Sequence, residues 1–266
     1  ISLRSLDRRI LQIQWLKENT FSVSCHHLNN FSVYCRISDY ALFSDPIMRL
    51  GGEKCTYQVP TYEALKGIVS SVYWKPTFIW RILDVRVMNP IQTEVKGIRP
   101  IKYGGGNDLA YYTYLRDCRY QVRACFDWND NRPELIGDRN ENKHHCIARR
   151  MIEKGGRRDI FLGTRECQGY VEPCEFGSGA GAYDSLPELS FGLMYHGITY
   201  PDEAYSEETK GRMTARFWYP VMKNGIIHFL PPEECPGQKP LRKMPMKIFS
   251  AEENNFTGLR EFGEVE

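Results

Sequence analysis

The stretch Thr77-Phe78-Ile79-Trp80-Arg81-Ile82-Leu83-Asp84-Val85-Arg86-Val87-Met88 decides the fold. It is β-branched and aromatic along most of its length, which suits a pleated, half-buried surface, and it reads as a strand. Just before it, Pro60-Thr61 opens a run in which Leu65, Ile68, Val69, Val72 and Tyr73 fall at helical spacing. Thr61 is placed to cap that helix, Glu63 lies in its first turn, and Lys75-Pro76 stops it. Further upstream, Phe31, Val33, Cys35 and Ile37 alternate with polar residues, the period of a first strand. Downstream, Tyr120, Val122, Ala124 and Phe126 alternate again as a third strand. A second helix is expected from Asn142 to Lys154, with His144, Ile147, Ala148 and Met151 on one stripe and Gly155-Gly156 at its end. Asp159-Ile160-Phe161-Leu162 supplies a fourth strand.

The order β-α-β-β-α-β predicts an α+β, ferredoxin-like (RNA-recognition-motif-like) domain, a four-stranded antiparallel sheet carrying two helices on one face. Its expected bounds are residues 30–163. Residues 164–266 read as a smaller β-rich C-terminal region, with strand-like runs at Leu193 to His196, Met213 to Tyr219 and Ile226 to Leu230. Residues 1–29 read as a short extension; Arg4, Asp7, Arg8, Arg9, Lys17 and Glu18 exclude a membrane span there, and the apolar run is too interrupted for a secretory segment.

With 266 residues, 42% hydrophobic and 26% charged, the chain can bury one large core or two small ones. A formal net charge of +2 does not by itself imply nucleic acid, so the placement of charge matters more. Arg139, Arg149, Arg150, Lys154, Arg157, Arg158 and Arg165 crowd the second helix against Glu141, Glu153, Asp159 and Glu166, which leaves a local positive field. The nine cysteines include no Cys-x-x-Cys pair and match no zinc pattern, so they read as reduced thiols of a cytoplasmic protein. Gly104-Gly105-Gly106 is followed by no Gly-Lys-Ser/Thr and reads as a flexible hairpin tip, and Gly177-Ser178-Gly179-Ala180-Gly181 lacks a strand-helix frame; both read as loops rather than nucleotide-binding turns.

Several segments, in order, resemble the CRISPR-associated Cas-five family, subtype I-C. They are Asp39-Tyr40-Ala41-Leu42-Phe43, the run from Tyr57 to Ile68, Tyr73-Trp74-Lys75-Pro76, Tyr103-Gly104-Gly105-Gly106-Asn107, Asp138-Arg139-Asn140-Glu141, Gly155 to Gly163, and Arg165 to Val171. The resemblance covers nearly all of the chain after residue 29. It implies that residues 30–163 bind RNA and cut it: an endoribonuclease that cleaves the repeat hairpin of precursor crRNA and stays on the mature crRNA as a subunit of the type I-C interference complex. It further implies that the cutting residues are Tyr73, at the end of the first helix, with Lys143 and His144 at the start of the second. Other members of the wider family are structural only. A non-catalytic subunit gripping the crRNA 5′ handle, or a nuclease acting also on DNA, therefore stand as alternatives.

The chemistry suits those residues. RNA carries its own nucleophile in the 2′-OH, so a base, an acid and a positive charge suffice, with no metal or other cofactor, and the upstream product ends in a 2′,3′-cyclic phosphate. Among these residues an imidazole, with an ordinary pKa of about 6.5, is suited to proton transfer near neutral pH. Lys143 is suited to stabilise the extra charge on the phosphate, and Tyr73, with an ordinary pKa of about 10, to orient the 2′-OH. From spacing alone, Tyr73 reads as core and His144 as a satisfied buried histidine. The resemblance reverses that order, because three separated positions carry the expected types together. Lys75, Arg139, Arg157 and Arg158 are the candidates for holding the RNA backbone.

Overall fold

A computed structural model of the chain describes residues 40–44 and 53–246, together with the backbone of 31–37. The expectation for residues 1–29 lies outside the described residues. The strands are β1 (Phe31–Ile37), β2 (Tyr40–Ala41), β3 (Lys54–Cys55), β4 (Phe78–Val87), β5 (Gln92–Ile98), β6 (Ala110–Arg116), β7 (Arg119–Trp128), β8 (Ile160–Phe161) and β9 (Gln168–Pro173). They continue with β10 (Leu189–Ser190), β11 (Met194–Thr199), β12 (Arg212–Trp218), β13 (Val221–Lys223), β14 (Ile226–His228) and β15 (Gly237–Lys243). The two α-helices are α1 (Tyr62–Val72) and α2 (Glu141–Glu153). The protein is a mixed α/β structure dominated by sheet.

An eight-stranded sheet runs β10-β13-β14-β4-β7-β1-β9-β8, with every neighbouring pair antiparallel. α1 packs on β4, α2 packs on β9, and the two helices touch. The expected fourth strand needs correcting: Ile160–Phe161 forms only the short edge strand β8, and the neighbour of β1 is β9. The two-residue strand is too short to pair along the whole of β1, whereas the six-residue strand Gln168–Pro173 alternates exposed and buried residues from Gln168 to Glu172. Strands β9, β10, β13 and β14, all beyond Gly163, extend this same sheet. A three-stranded sheet β11-β12-β15 and a four-stranded set in which β6 pairs with β2, β3 and β5 complete the fold.

β4 shows how sequence sets the pleat. Phe78, Trp80 and Ile82 face the helices, and a bulge then inserts Leu83, so that Ile82 pairs with Ala124 but Asp84 with Arg123. The extra residue turns Asp84 away from the apolar face, where Arg123 and His228 meet its carboxylate, and returns Val85 and Val87 to the core. Uninterrupted alternation would have buried Asp84 among Leu, Val and Trp side chains at a cost of several kcal/mol.

α1 starts where expected: the Thr61 side chain accepts from Ala64 N at 3.2 Å, and Tyr62, Leu65, Ile68, Val69 and Val72 are buried along one stripe. α2 is capped by Asn140, whose side chain accepts from Lys143 N at 3.0 Å. It ends as Gly155 N and Gly156 N donate to Ile152 O and Met151 O, both glycines at positive φ. Six of the described cysteines are free thiols, while Cys125 is disulfide-bonded, which departs from the expectation of reduced thiols throughout. Among the described residues no helix is long and apolar enough to cross a membrane.

Candidate active site

The end of α1, the start of β4 and the start of α2 converge on one point. Tyr73 is the C-cap of α1, and its carbonyl accepts from Trp80 Nε1 at 2.7 Å, which fixes the backbone as it leaves the helix. Asn140 begins α2 one residue before its first turn, so Lys143 and His144 project from that first turn in different directions. Lys143 is half exposed, while His144 is completely buried against the rings of Phe78, Trp128 and Tyr73.

The sequence-predicted trio is brought together through a residue to which the sequence assigned no role, Asp138. Tyr73 Oη lies 2.8 Å from His144 Nδ1, and His144 Nε2 lies 2.8 Å from the Asp138 carbonyl oxygen. The Asp138 carboxylate is paired with Lys143 Nζ and accepts from Thr77 Oγ1 at 2.8 Å. A carbonyl oxygen only accepts, so in the neutral ring Nε2 carries the proton and Nδ1 offers its lone pair to the Tyr73 hydroxyl. Both imidazole nitrogens are thereby satisfied inside a ring-lined site, where an unpaired one would cost about 1–3 kcal/mol.

The electrostatics follow from this arrangement. Burial pushes the Tyr73 phenol above its ordinary value, the Asp138 carboxylate adds to that, and the Arg157 guanidinium opposes it. The hydrogen bonds from Lys143 and Thr77 hold the Asp138 carboxyl below its usual range, against the opposing effect of burial, and the Lys143 charge adds to them. Tyr73 therefore stays a protonated phenol near neutral pH and Asp138 stays ionised.

The expected RNA-holding cations divide into two groups. Lys75, Arg157 and Arg158 are exposed, and the backbone N–H groups of Arg157 and Arg158 both donate to Ser71 O, which fastens the Gly155-Gly156 turn to the end of α1 beside Tyr73. Arg139 is instead committed, with Nη1 at 3.1 Å from Asp130 Oδ1 and Nη2 donating to Asn129 O at 2.8 Å. Among the described residues no group of three or more His, Cys, Asp or Glu is arranged to hold a metal ion. Asp138 and Thr77 were missed because neither belongs to a spacing pattern; the available signal was the placement of Asp138 just ahead of the Asn140 cap, where the chain turns back toward β4.

The family described as CRISPR-associated protein (Cas_Cas5) matches residues 36–230. A protein of Mannheimia succiniciproducens named CRISPR pre-crRNA endoribonuclease Cas5d is 41% identical over 56 residues, 21% of this chain and 24% of that protein. One of the same name from Thermus thermophilus is 27% identical over 144 residues, 51% of this chain and 60% of that protein. The chain thus spans about a quarter and three-fifths of the lengths of these two curated relatives. Among solved structures, one described as a CRISPR-associated protein is 36% identical with a TM-score of 0.67, covering 79% of this chain and 96% of its own. A functionally uncharacterized protein from Streptococcus mutans is 39% identical with a TM-score of 0.65 and the same coverage of 79% and 96%. A family match running from β1 to the end of β14, and two solved relatives aligned over nearly their whole length, lead to one conclusion: the chain belongs to the CRISPR-associated Cas5 family, in its subtype I-C (Cas5d) branch.

Proposed function

We propose that this protein is a metal-independent endoribonuclease that cuts CRISPR repeat hairpins in precursor crRNA by 2′-OH attack and remains on the mature crRNA as a subunit of the type I-C interference complex. The observation that carries the reading is the continuous line Tyr73–His144–Asp138–Lys143, a hydroxyl, a base and a cation tied together at the junction of α1, β4 and α2. The two curated relatives named CRISPR pre-crRNA endoribonuclease support it. A ferredoxin-like frame is supported by the strand order β4-β7-β1-β9 with α1 and α2 as the connections.

In this reading His144 acts through Tyr73 rather than on RNA directly, since the imidazole is sealed from solvent; Tyr73 is itself only 3% exposed, so RNA reaches the phenol as the surface over it opens on binding. As the 2′-OH attacks phosphorus, its proton passes to Tyr73 Oη while the phenol proton passes to His144 Nδ1. The phenol is neither net acid nor net base, so its raised pKa is no obstacle. The imidazolium formed is met by the Asp138 carbonyl at 2.8 Å and by its carboxylate Oδ2 at 3.5 Å. The proton held there is available to the departing 5′ oxygen, by way of Tyr73 or water. Lys143, half exposed beside the Asp138 carboxylate, stabilises the doubly charged phosphorane. Lys75, two residues after Tyr73, and Arg157 and Arg158, whose backbone is fastened to Ser71, hold the RNA backbone.

The test is single-turnover cleavage, in EDTA, of the repeat RNA from the same genome beside a copy with one 2′-deoxy substitution at the scissile nucleotide. Cleavage of the all-ribose strand alone, with a cyclic phosphate on the upstream product, is expected. Tight binding of both without cleavage would make the protein a non-catalytic handle-binding subunit, and cleavage of the deoxy copy would make it a nuclease of another mechanism.

A further inference from the structure

A cavity of about 400 Å³ opens over the exposed face of α1 and reaches Trp74, the residue that follows Tyr73. Its lining includes Glu63, Gly67, Trp74, Arg158, Tyr200 and Glu203, and a second cavity of about 430 Å³ continues along the helix, sharing Glu63 and Gly67. Trp74 follows Tyr73 in sequence, and Arg158 is joined to α1 through the bond from its N–H to Ser71 O, 3.0 Å long. The groove and the Tyr73 hydroxyl thus share one structural support.

Gly67 indicates what the groove is for. It lies inside α1 without a positive φ, and a Cβ placed on it would meet nothing within 4 Å. Neither backbone conformation nor packing demands glycine there, although glycine inside a helix costs about 0.5–1 kcal/mol relative to alanine. Its effect is to keep the floor of the groove clear. Above that floor stand two exposed aromatic rings, Trp74 and Tyr200, the side chains on which unpaired bases stack.

The charges discriminate among occupants. Glu63 and Glu203 would repel a phosphate, and the one ammonium within the groove, Lys66, is already paired with Glu203. Glu63 is held by Arg216 Nη2 at 3.5 Å and by Ile198 N at 3.3 Å, and a carboxylate has about four lone-pair sites, so both acids retain acceptor capacity. Two neighbouring N–H donors on one edge suit a carboxylate best, and among the four RNA bases guanine presents that pair at N1 and N2. Arg158 at the rim is left for the phosphate.

We infer that this groove is a base-binding subsite that takes an unpaired guanine of the RNA substrate close to the scissile phosphate. The inference rests on the ribonuclease reading for its substrate, but its test does not depend on cleavage. Guanosine 5′-monophosphate is titrated into the full chain while the indole N–H resonance of Trp74 is followed, assigned through Trp74→Phe, with the cytidine and uridine monophosphates in parallel. The Trp74 resonance is expected to shift with the guanine nucleotide, at a several-fold lower concentration than with either pyrimidine. Gly67→Leu, which fills the floor while keeping a good helix former, is expected to abolish that shift without lowering the melting temperature. A shift equal for all three nucleotides, no shift with any, or a shift undiminished in Gly67→Leu would overturn the subsite. Binding with the expected selectivity in a chain that cuts no RNA would retain the subsite and remove only the ribonuclease reading.

Discussion

Tyr73 Oη and His144 Nδ1, 71 residues apart in sequence, lie 2.8 Å from each other, with the far nitrogen of the ring fixed on the Asp138 carbonyl. The pair couples a hydroxyl at the end of one helix to a base at the start of the other. It also lets two readings of His144 stand together: the histidine is a satisfied core residue, and in the proposed mechanism it acts through Tyr73.

Lys143 should contribute to rate rather than to affinity, because it makes one contact among several exposed cations and its charge matters most when the phosphate gains a second negative charge. Lys143→Ala is expected to reduce single-turnover cleavage by roughly 10²-fold or more, with RNA affinity, read by filter binding at fixed salt, changed less than about 5-fold. A loss confined to affinity would place Lys143 among the backbone-holding cations.

Asp138 makes a prediction with a definite sign. Its carboxyl is held below the usual carboxylate range in the folded protein, so its contribution to stability is present above that range and is lost as the pH falls through the depressed value. Asp138→Asn should therefore melt lower than wild type at pH 7, and the gap should close below about pH 3.9, the ordinary aspartate value. Melting curves at pH 7 and pH 3 decide it; a gap that widens on acidification would show that the carboxylate is not stabilised by Lys143 and Thr77.

His196 should make the protein acid-sensitive. Burial, with the Arg216 guanidinium beside it, pulls its pKa down to about 3. Its neutral ring accepts from Arg216 Nε at Nδ1 (3.3 Å) and donates from Nε2 to Leu230 O (3.1 Å), so protonation at Nδ1 would face a cation. Unfolded, the ring titrates near 6.5, and between these values the unfolded chain binds the extra proton. Stability should fall as the pH drops from about 6.5, at a slope up to about 1.4 kcal/mol per pH unit from this group. His196→Gln should flatten that part of the curve in urea titrations; an unchanged slope would assign the acid sensitivity elsewhere.

Gly163 should tolerate no side chain. At φ +95°, a Cβ on this residue would lie 1.9 Å from Leu42 O, in the backbone bridge that Leu42 N makes to Leu162 O at 3.0 Å. Gly163→Ala combines a left-handed alanine with a backbone clash and is expected to cost about 3 kcal/mol or more. Chemical denaturation checks it, with Gly67→Ala, which meets nothing, as the harmless comparison.

What the sequence made legible was whatever local chemistry controls. Thr61 and the apolar spacing of α1, the Gly155-Gly156 stop of α2 and the aromatic strand from Thr77 all read correctly, because caps, periods and glycine turns act within a few residues. Of the hairpin of β5 and β6 only the tip at Gly104-Gly105-Gly106 was legible; its strands were hidden because much of them faces solvent, with Gln92, Thr93, Val95, Gly97 and Tyr111 exposed, so no apolar alternation marks them. The bulge at Leu83 was hidden for a different reason: it is set by what Asp84 meets across the sheet, Arg123 and His228, and not by its neighbours in the chain. Asp138 escaped likewise, since its meaning lies in contacts with Thr77, Lys143 and His144 that only the folded chain assembles.

The most direct test of the account is a double-mutant cycle on Tyr73 and His144, read by single-turnover cleavage of the repeat RNA after each variant's folding is confirmed by its melting curve. Tyr73→Phe and His144→Ala should each slow cleavage by roughly 10²- to 10⁴-fold, and the double variant should be no slower than the worse single one, as two members of one proton path require. Losses that multiply, or a Tyr73→Phe enzyme that cuts at the wild-type rate, would contradict it.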